Sequence, residues 1–181
     1  MFPQHTVESA PLEAQPLLSG VKARFGFIPN VYANLAEAPV ALEALLQITA
    51  LFGRTSLTDR ERHLLYLTSS VEQRCNFCVA AHTRGAIAGN VGAEAIDAIR
   101  AGELPTVARE AAFVTFVRAM IRSRGFVTEG ELRDFFAHGF AHRHALEAVL
   151  GVSMKILTHY VNHMTKTELN PELAEFAWSA P

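Results

Sequence analysis

The 181-residue chain has only two cysteines, Cys75 and Cys78, three positions apart. A ring that small restrains the unfolded chain little, so the pair does not read as the disulfide framework of a secreted domain. Basic residues are not in excess either: 16 lysines and arginines stand against 18 aspartates and glutamates, for a net charge of −2. That balance, with no Lys/Arg cluster, excludes the basic footprint of a nucleic-acid binder and gives no anchor for an anionic membrane surface. No apolar run approaches the ~18 residues of a membrane span. The opening MFPQHTVESAPLEAQPLL also lacks the charged segment and apolar stretch of a signal peptide. The expectation is a cytoplasmic protein, free of membrane and nucleic-acid partners, whose thiols are reduced. Low-complexity tracts, internal repeats and alternating runs of β-branched residues are missing too, which leaves little room for strands.

What the chain does have is helical punctuation. Half of its residues are hydrophobic, enough for a real core. Pro39 stands where a helix tolerates proline, in the first turn, and a helix is predicted from there to about Gly53. Thr58 followed by Glu61 is a capping-box pattern, opening a helix with Leu64, Leu65, Leu67 and Val71 on its apolar face, to about Glu72. After a break near Arg74, a further helix is predicted over 76–88, and others over 93–101, 106–122, 129–138 and 142–164. Thr128 and Glu131 repeat the capping box. Residues 1–16, with Pro3, Pro11 and Pro16, read as an irregular arm, and the segment after Asn162 as a tail suited to packing on a neighbouring subunit. The fold class is all-α.

Chemistry concentrates at Cys75-Asn76-Phe77-Cys78, at the start of a predicted helix. Unpaired N–H groups and the helix dipole stabilise a thiolate there, and two sulfurs this close can close a disulfide once one is oxidised. His82 follows Cys78 by four residues, which puts both on one helical face with Cβ atoms about 5–6 Å apart. It can take the thiol proton or hold an imidazolium beside the thiolate. Glu72, three residues before Cys75, is expected to fold back and orient His82 as the third member of the relay. The helix start favours Cys75 as nucleophile and the nearness of His82 favours Cys78. The spacing leaves both open.

Plainer readings exist for each group. The thiols could be small buried hydrophobes, or two of three zinc ligands with His82, although no second cysteine pair supplies a fourth. His159 and His163, four apart, read more readily as part of a core helix than as a metal clasp. His63 reads as structural or exposed, and His138, His142 and His144 as capping and polar packing at a helix junction.

From Leu57-Thr58-Asp59-Arg60-Glu61 through Val71-Glu72-Gln73-Arg74-Cys75-Asn76-Phe77-Cys78-Val79-Ala80-Ala81-His82, the chain resembles the core of the carboxymuconolactone decarboxylase / alkylhydroperoxidase AhpD-like family. It is most similar to the subgroup with a Glu-x-x-Cys-x-x-Cys-x-x-x-His pattern. Phe27-Ile28-Pro29-Asn30-Val31-Tyr32, Tyr160-Val161-Asn162-His163 and Phe176-Ala177-Trp178 are similar as well. The resemblance implies one AhpD-like helical domain over 1–181, with its motif region at about 38–102 and a C-terminal helical region at about 106–165. It implies assembly into dimers, trimers or hexamers, with no cofactor and no metal. It further implies a thiol peroxidase in which Cys78 attacks a hydroperoxide, Cys75 resolves the sulfenic acid and an external dithiol resets the pair, with His82 and Glu72 in support. The chain departs from AhpD itself at Asn76-Phe77, where AhpD has a histidine, and at His63, where AhpD has its relay glutamate.

Two other functions compete with that reading. A carboxymuconolactone decarboxylase-type lyase uses the same helical core, but the chain shows no basic cluster for a dicarboxylate. A non-catalytic redox sensor would use the Cys75–Cys78 disulfide to alter an oligomer interface.

Overall fold

Prolines and capping residues set where most helices begin in the computed structural model, which describes residues 2–180. The helices are α1 (Gln15–Phe25), α2 (Asn30–Leu35), α3 (Pro39–Phe52), α4 (Asp59–Glu72), α5 (Asn76–Ala88), α6 (Ala93–Arg100), α7 (Ala108–Arg122), α8 (Glu129–Ala137) and α9 (His142–Thr165), followed by a 3-10 helix, Pro171–Phe176. No strand forms among the described residues, and the fold is all-α, as expected. No helix among them is long and apolar enough to cross a membrane.

Both capping boxes form. Thr58 Oγ1 accepts from the Glu61 N–H at 3.1 Å while Glu61 Oε2 accepts from the Thr58 N–H at 2.8 Å, and Thr128 and Glu131 repeat the exchange. Each such cap stabilises its helix by about 1 kcal/mol. The predicted helices lie within one or two residues of the observed ones. The expectation fails ahead of α3, where the irregular arm ends early and both α1 and α2 form. Neither helix has a side-chain cap; Pro16 stands in the first turn of α1 but reads equally as part of a proline-containing arm, and α2 is only six residues long.

α4 is the central helix, packed against α5, α6, α7 and α9. Its second half carries the buried, small Thr68, Ser69 and Ser70, which let neighbouring backbones come close. α9 comes close at Gly151, where a Cβ would lie 2.6 Å from the Phe52 ring and 2.9 Å from Leu65. That contact seats the following turns of α9 over the α4–α5 junction. The C-terminal segment is fastened to α6 of its own chain. Trp178 donates its indole N–H to the Arg100 carbonyl at 3.0 Å, and the Arg100 guanidinium donates to the carbonyls of Phe176 and Ala177.

Candidate active site

The turn between α4 and α5 sets the thiols in place. Arg74 takes a left-handed conformation, φ +50°, and the Cys75 N–H donates back to the Ser70 carbonyl at 3.0 Å. Cys75 thereby becomes the N-cap of α5, and the Cys78 N–H donates to its sulfur at 3.4 Å. Both thiols are free and both are buried.

One stripe of α9 completes the site. The Asn162 amide donates to Cys78 Sγ at 3.1 Å and to Cys75 Sγ at 3.6 Å. Lys155 is 2% exposed and has no carboxylate partner among the described residues. Its Nζ donates to Thr158 Oγ1 at 3.1 Å and lies 2.6 Å from His82 Nε2. His159 is fully buried, with Nε2 3.4 Å from Ser70 Oγ.

These contacts separate the two thiols electrostatically. Burial opposes ionisation of Cys78, but a hydrogen bond from Cys75, the charge on Lys155 and the adjacent His159 together hold its pKa well below the ordinary thiol value. The Cys75 thiol is pushed strongly up, first by its hydrogen bond to Cys78 and then by burial. Burial, reinforced by the charge on Lys155, drives the His82 pKa well below its usual value, so the imidazole is neutral. His159 is lowered for the same two reasons.

His82 and the thiols do meet at one site, but not in the predicted arrangement. His82 bonds to Lys155, and its ring stacks on Tyr66 at 4.9 Å. Glu72 is not joined to it. Both carboxylate oxygens are taken by Arg122, at 2.7 and 2.8 Å, and Arg118 lies 3.3 Å away. Two guanidiniums from α7 outcompete a neutral imidazole for that carboxylate, so Glu72 ties α4 to α7. Among the described residues no group of three or more His, Cys, Asp or Glu side chains is arranged to hold a metal ion.

Cys78 forms part of the floor of a cavity of about 410 Å³ that Cys75 does not line. Its walls are apolar, with Phe25, Phe27, Tyr32, Tyr66 and Phe77 among aliphatic residues such as Val31, Leu45 and Met154. A volume of this size suits a small organic molecule. Arg24, His63, His82, Arg84 and Lys155 also line it, with no aspartate or glutamate among the lining residues. The sequence shows no basic cluster; in the fold three cations from three helices, Arg24, Arg84 and Lys155, line one cavity.

Residues 36–120, from the end of α2 into α7, match the carboxymuconolactone decarboxylase family. The backbone of the whole chain is similar to a peroxidase-related protein from Ralstonia eutropha JMP134 with an alkylhydroperoxidase AhpD core, at TM-score 0.84 and 21% identity over 95% of this chain and 93% of that one. A peroxidase-related protein from Silicibacter sp. TM1040 gives 0.80 and 21% over 95% and 91%. The debrominase Bmp8 in complex with 2,3,4-tribromopyrrole gives 0.80 and 14% over 97% and 95%. At these identities the likeness is one of fold. No curated protein matches the sequence.

The matched segment holds Cys75, Cys78 and His82, whereas Lys155, His159 and Asn162 lie beyond it. Sequence reasoning read His159 as core and gave Lys155 no role. The available signal was their spacing, since positions 155, 159 and 162 form one stripe on a helix. A lysine, a histidine and an asparagine on that stripe interrupt an otherwise apolar face.

Proposed function

We propose that this chain is a thiol-dependent hydroperoxide reductase of the alkylhydroperoxidase type, cycling through a Cys75–Cys78 disulfide. The observation that carries the reading is the asymmetry of the two thiols. Cys78 lines the cavity beside Lys155 with its pKa depressed, while Cys75 sits behind it, protonated. The Cys78 thiolate attacks the terminal oxygen of the hydroperoxide; the S–O bond forms as the O–O bond breaks. The departing alkoxide takes a proton from Lys155 and leaves as the alcohol. The Cys75 sulfur then attacks the Cys78 sulfenic acid, forming the disulfide, and its proton leaves with the hydroxyl as water. Neutral His82, bonded to Lys155, relays the replacement proton. An external dithiol reduces the disulfide, and the chain works as a homo-oligomer in the cytoplasm. The peroxidase-related neighbours support this reading through their shared fold.

The test is a hydroperoxide titration followed by mass spectrometry of the wild type, Cys75→Ser and Cys78→Ser. The wild type should lose two hydrogens, Cys75→Ser should accumulate a sulfenic acid, and Cys78→Ser should stay unmodified. Thiols that persist in the wild type would sink the proposal.

The basic lining of the cavity favours a second reading, a lyase acting on a lactone carboxylate. Decarboxylation retained in a Cys75→Ser/Cys78→Ser variant would select it.

A further inference from the structure

The cavity has a polarity that the peroxidase chemistry alone does not require. At its inner end Lys155 and Cys78 are both 2% exposed. Arg24 and Arg84 line the same cavity and are exposed to solvent, which marks its mouth. Each guanidinium lies over an aromatic ring of the wall, Arg24 over Phe25 at 5.3 Å and Arg84 over Phe27 at 5.4 Å. Stacking holds the two cations against the opening without neutralising them. Neither makes an ion pair or a hydrogen bond to a carboxylate among the described residues. The chain as a whole is slightly acidic, at net −2, yet no acidic residue lines this cavity. Low-dielectric walls focus such a one-sign field on whatever enters.

The inner cation is already committed, because Lys155 is held by His82 and Thr158 and shares the cavity floor with Cys78, whose thiolate would repel a second anion. The mouth cations are not committed. The walls are aromatic and aliphatic and bury an apolar body.

We propose that the substrate is an apolar hydroperoxide carrying one carboxylate, seated with the carboxylate on Arg24 and Arg84 and the peroxide on Cys78. This rests on the peroxidase reading above and adds the class of molecule to it. The bidentate fork of arginine suits a carboxylate, and the outward anchor points the peroxide inward. Oxidation proceeds as described, with the carboxylate unchanged in the alcohol product.

Two measurements test it separately from the peroxidase reading. The first compares cumene hydroperoxide with its para-carboxylate derivative, through the second-order rate constants for Cys78 oxidation. The carboxylate should react about tenfold faster at low ionic strength, as expected for two partly exposed charge-assisted contacts, and Arg24→Gln/Arg84→Gln should abolish that ratio. Equal rate constants in the wild type, or a preference that survives the double variant, would overturn the proposal. The second measures binding of 4-isopropylbenzoate and 4-isopropylbenzyl alcohol to Cys78→Ser by calorimetry, with and without the two arginine substitutions. Tighter binding of the acid, lost with the arginines, supports the anion site. Equal binding of acid and alcohol overturns it. If neither hydroperoxide oxidises Cys78, the peroxidase reading falls, while calorimetry still decides whether the cavity selects a carboxylate.

Discussion

Asn162 reaches from α9 to donate its amide to the sulfur of Cys78 at 3.1 Å, 84 residues away in sequence. A hydrogen bond to an ionised group contributes about 1.5–3 kcal/mol, and this one favours the thiolate over the thiol. Asn162→Leu should therefore slow alkylation of Cys78 by iodoacetamide at neutral pH by roughly tenfold to a hundredfold. The rate should recover as pH rises into the ordinary thiol range. An unchanged rate–pH profile would show that the amide does not act on the thiolate.

Lys155 is a buried cation whose partners are an imidazole, a hydroxyl and the nearby thiolate. Without a carboxylate, its desolvation is poorly offset in the folded state. Lys155→Met should raise the midpoint of thermal unfolding or leave it unchanged, since methionine suits an apolar site. It should also lower the hydroperoxide reactivity of Cys78 by more than about tenfold. Thermal melts and stopped-flow oxidation together check this; a variant both less stable and equally reactive contradicts it.

The legible half of this site is the local half. Cys75, Cys78 and His82 lie within eight consecutive positions, and capping rules place them on one helix. The other half depends on Gly151 bringing α9 down onto Phe52 and Leu65, a tertiary contact with no local signature. The same limit explains Glu72. Sequence neighbourhood suggested His82 as its partner, but the carboxylate belongs to Arg122, 50 residues on. It also explains the basic lining, whose members Arg24, His63, Arg84 and Lys155 are scattered along the chain and meet only in the fold.

Stability of the reduced protein should depend on pH with a definite sign. His159 is fully buried and its pKa is lowered from 6.5. Below that value the unfolded chain takes up a proton that the folded chain refuses, so stability falls as pH falls. The limiting slope from this group is about 1.4 kcal/mol per pH unit. Cys78, lowered from 9.0, acts in the same direction: its stabilisation is present above the ordinary thiol value and is lost as pH falls through the folded pKa. Cys75, raised from 9.0, reverses the trend above that value. Urea unfolding across this range should show stability climbing from acid to mildly alkaline conditions, and Cys78→Ser should flatten the upper part of the climb. A profile that falls with pH below the thiol range would refute the assignment.

Glu72→Gln separates a structural role from a relay. The substitution leaves the largely buried Arg118 without its anion, and breaking a pair of this partial burial should cost about 1–3 kcal/mol. Because Glu72 touches neither His82 nor a thiol, the oxidation rate of Cys78 should change by less than about twofold at temperatures where the variant is folded. A large loss of rate with stability intact would return Glu72 to the relay.

Gly151→Ala tests whether the two halves of the site are coupled through packing. Alanine is favoured over glycine in a helix by about 1 kcal/mol, so intrinsic propensity predicts a gain. The added methyl would meet the Phe52 ring at 2.6 Å, and Phe52 is fully enclosed, with no room to swing away. Overpacking of this kind destabilises by about 1–3 kcal/mol, so the net change should be a loss. The relief available is a shift of α9 away from α4, and that shift lengthens the Asn162–Cys78 contact eleven residues further along the helix. The variant should therefore lose thiol reactivity together with stability, although residue 151 lines no part of the cavity. Chemical denaturation and iodoacetamide kinetics on the same preparation read both effects. Stability lost while reactivity is retained would show that the cavity wall holds Asn162 in place independently of the Gly151 contact.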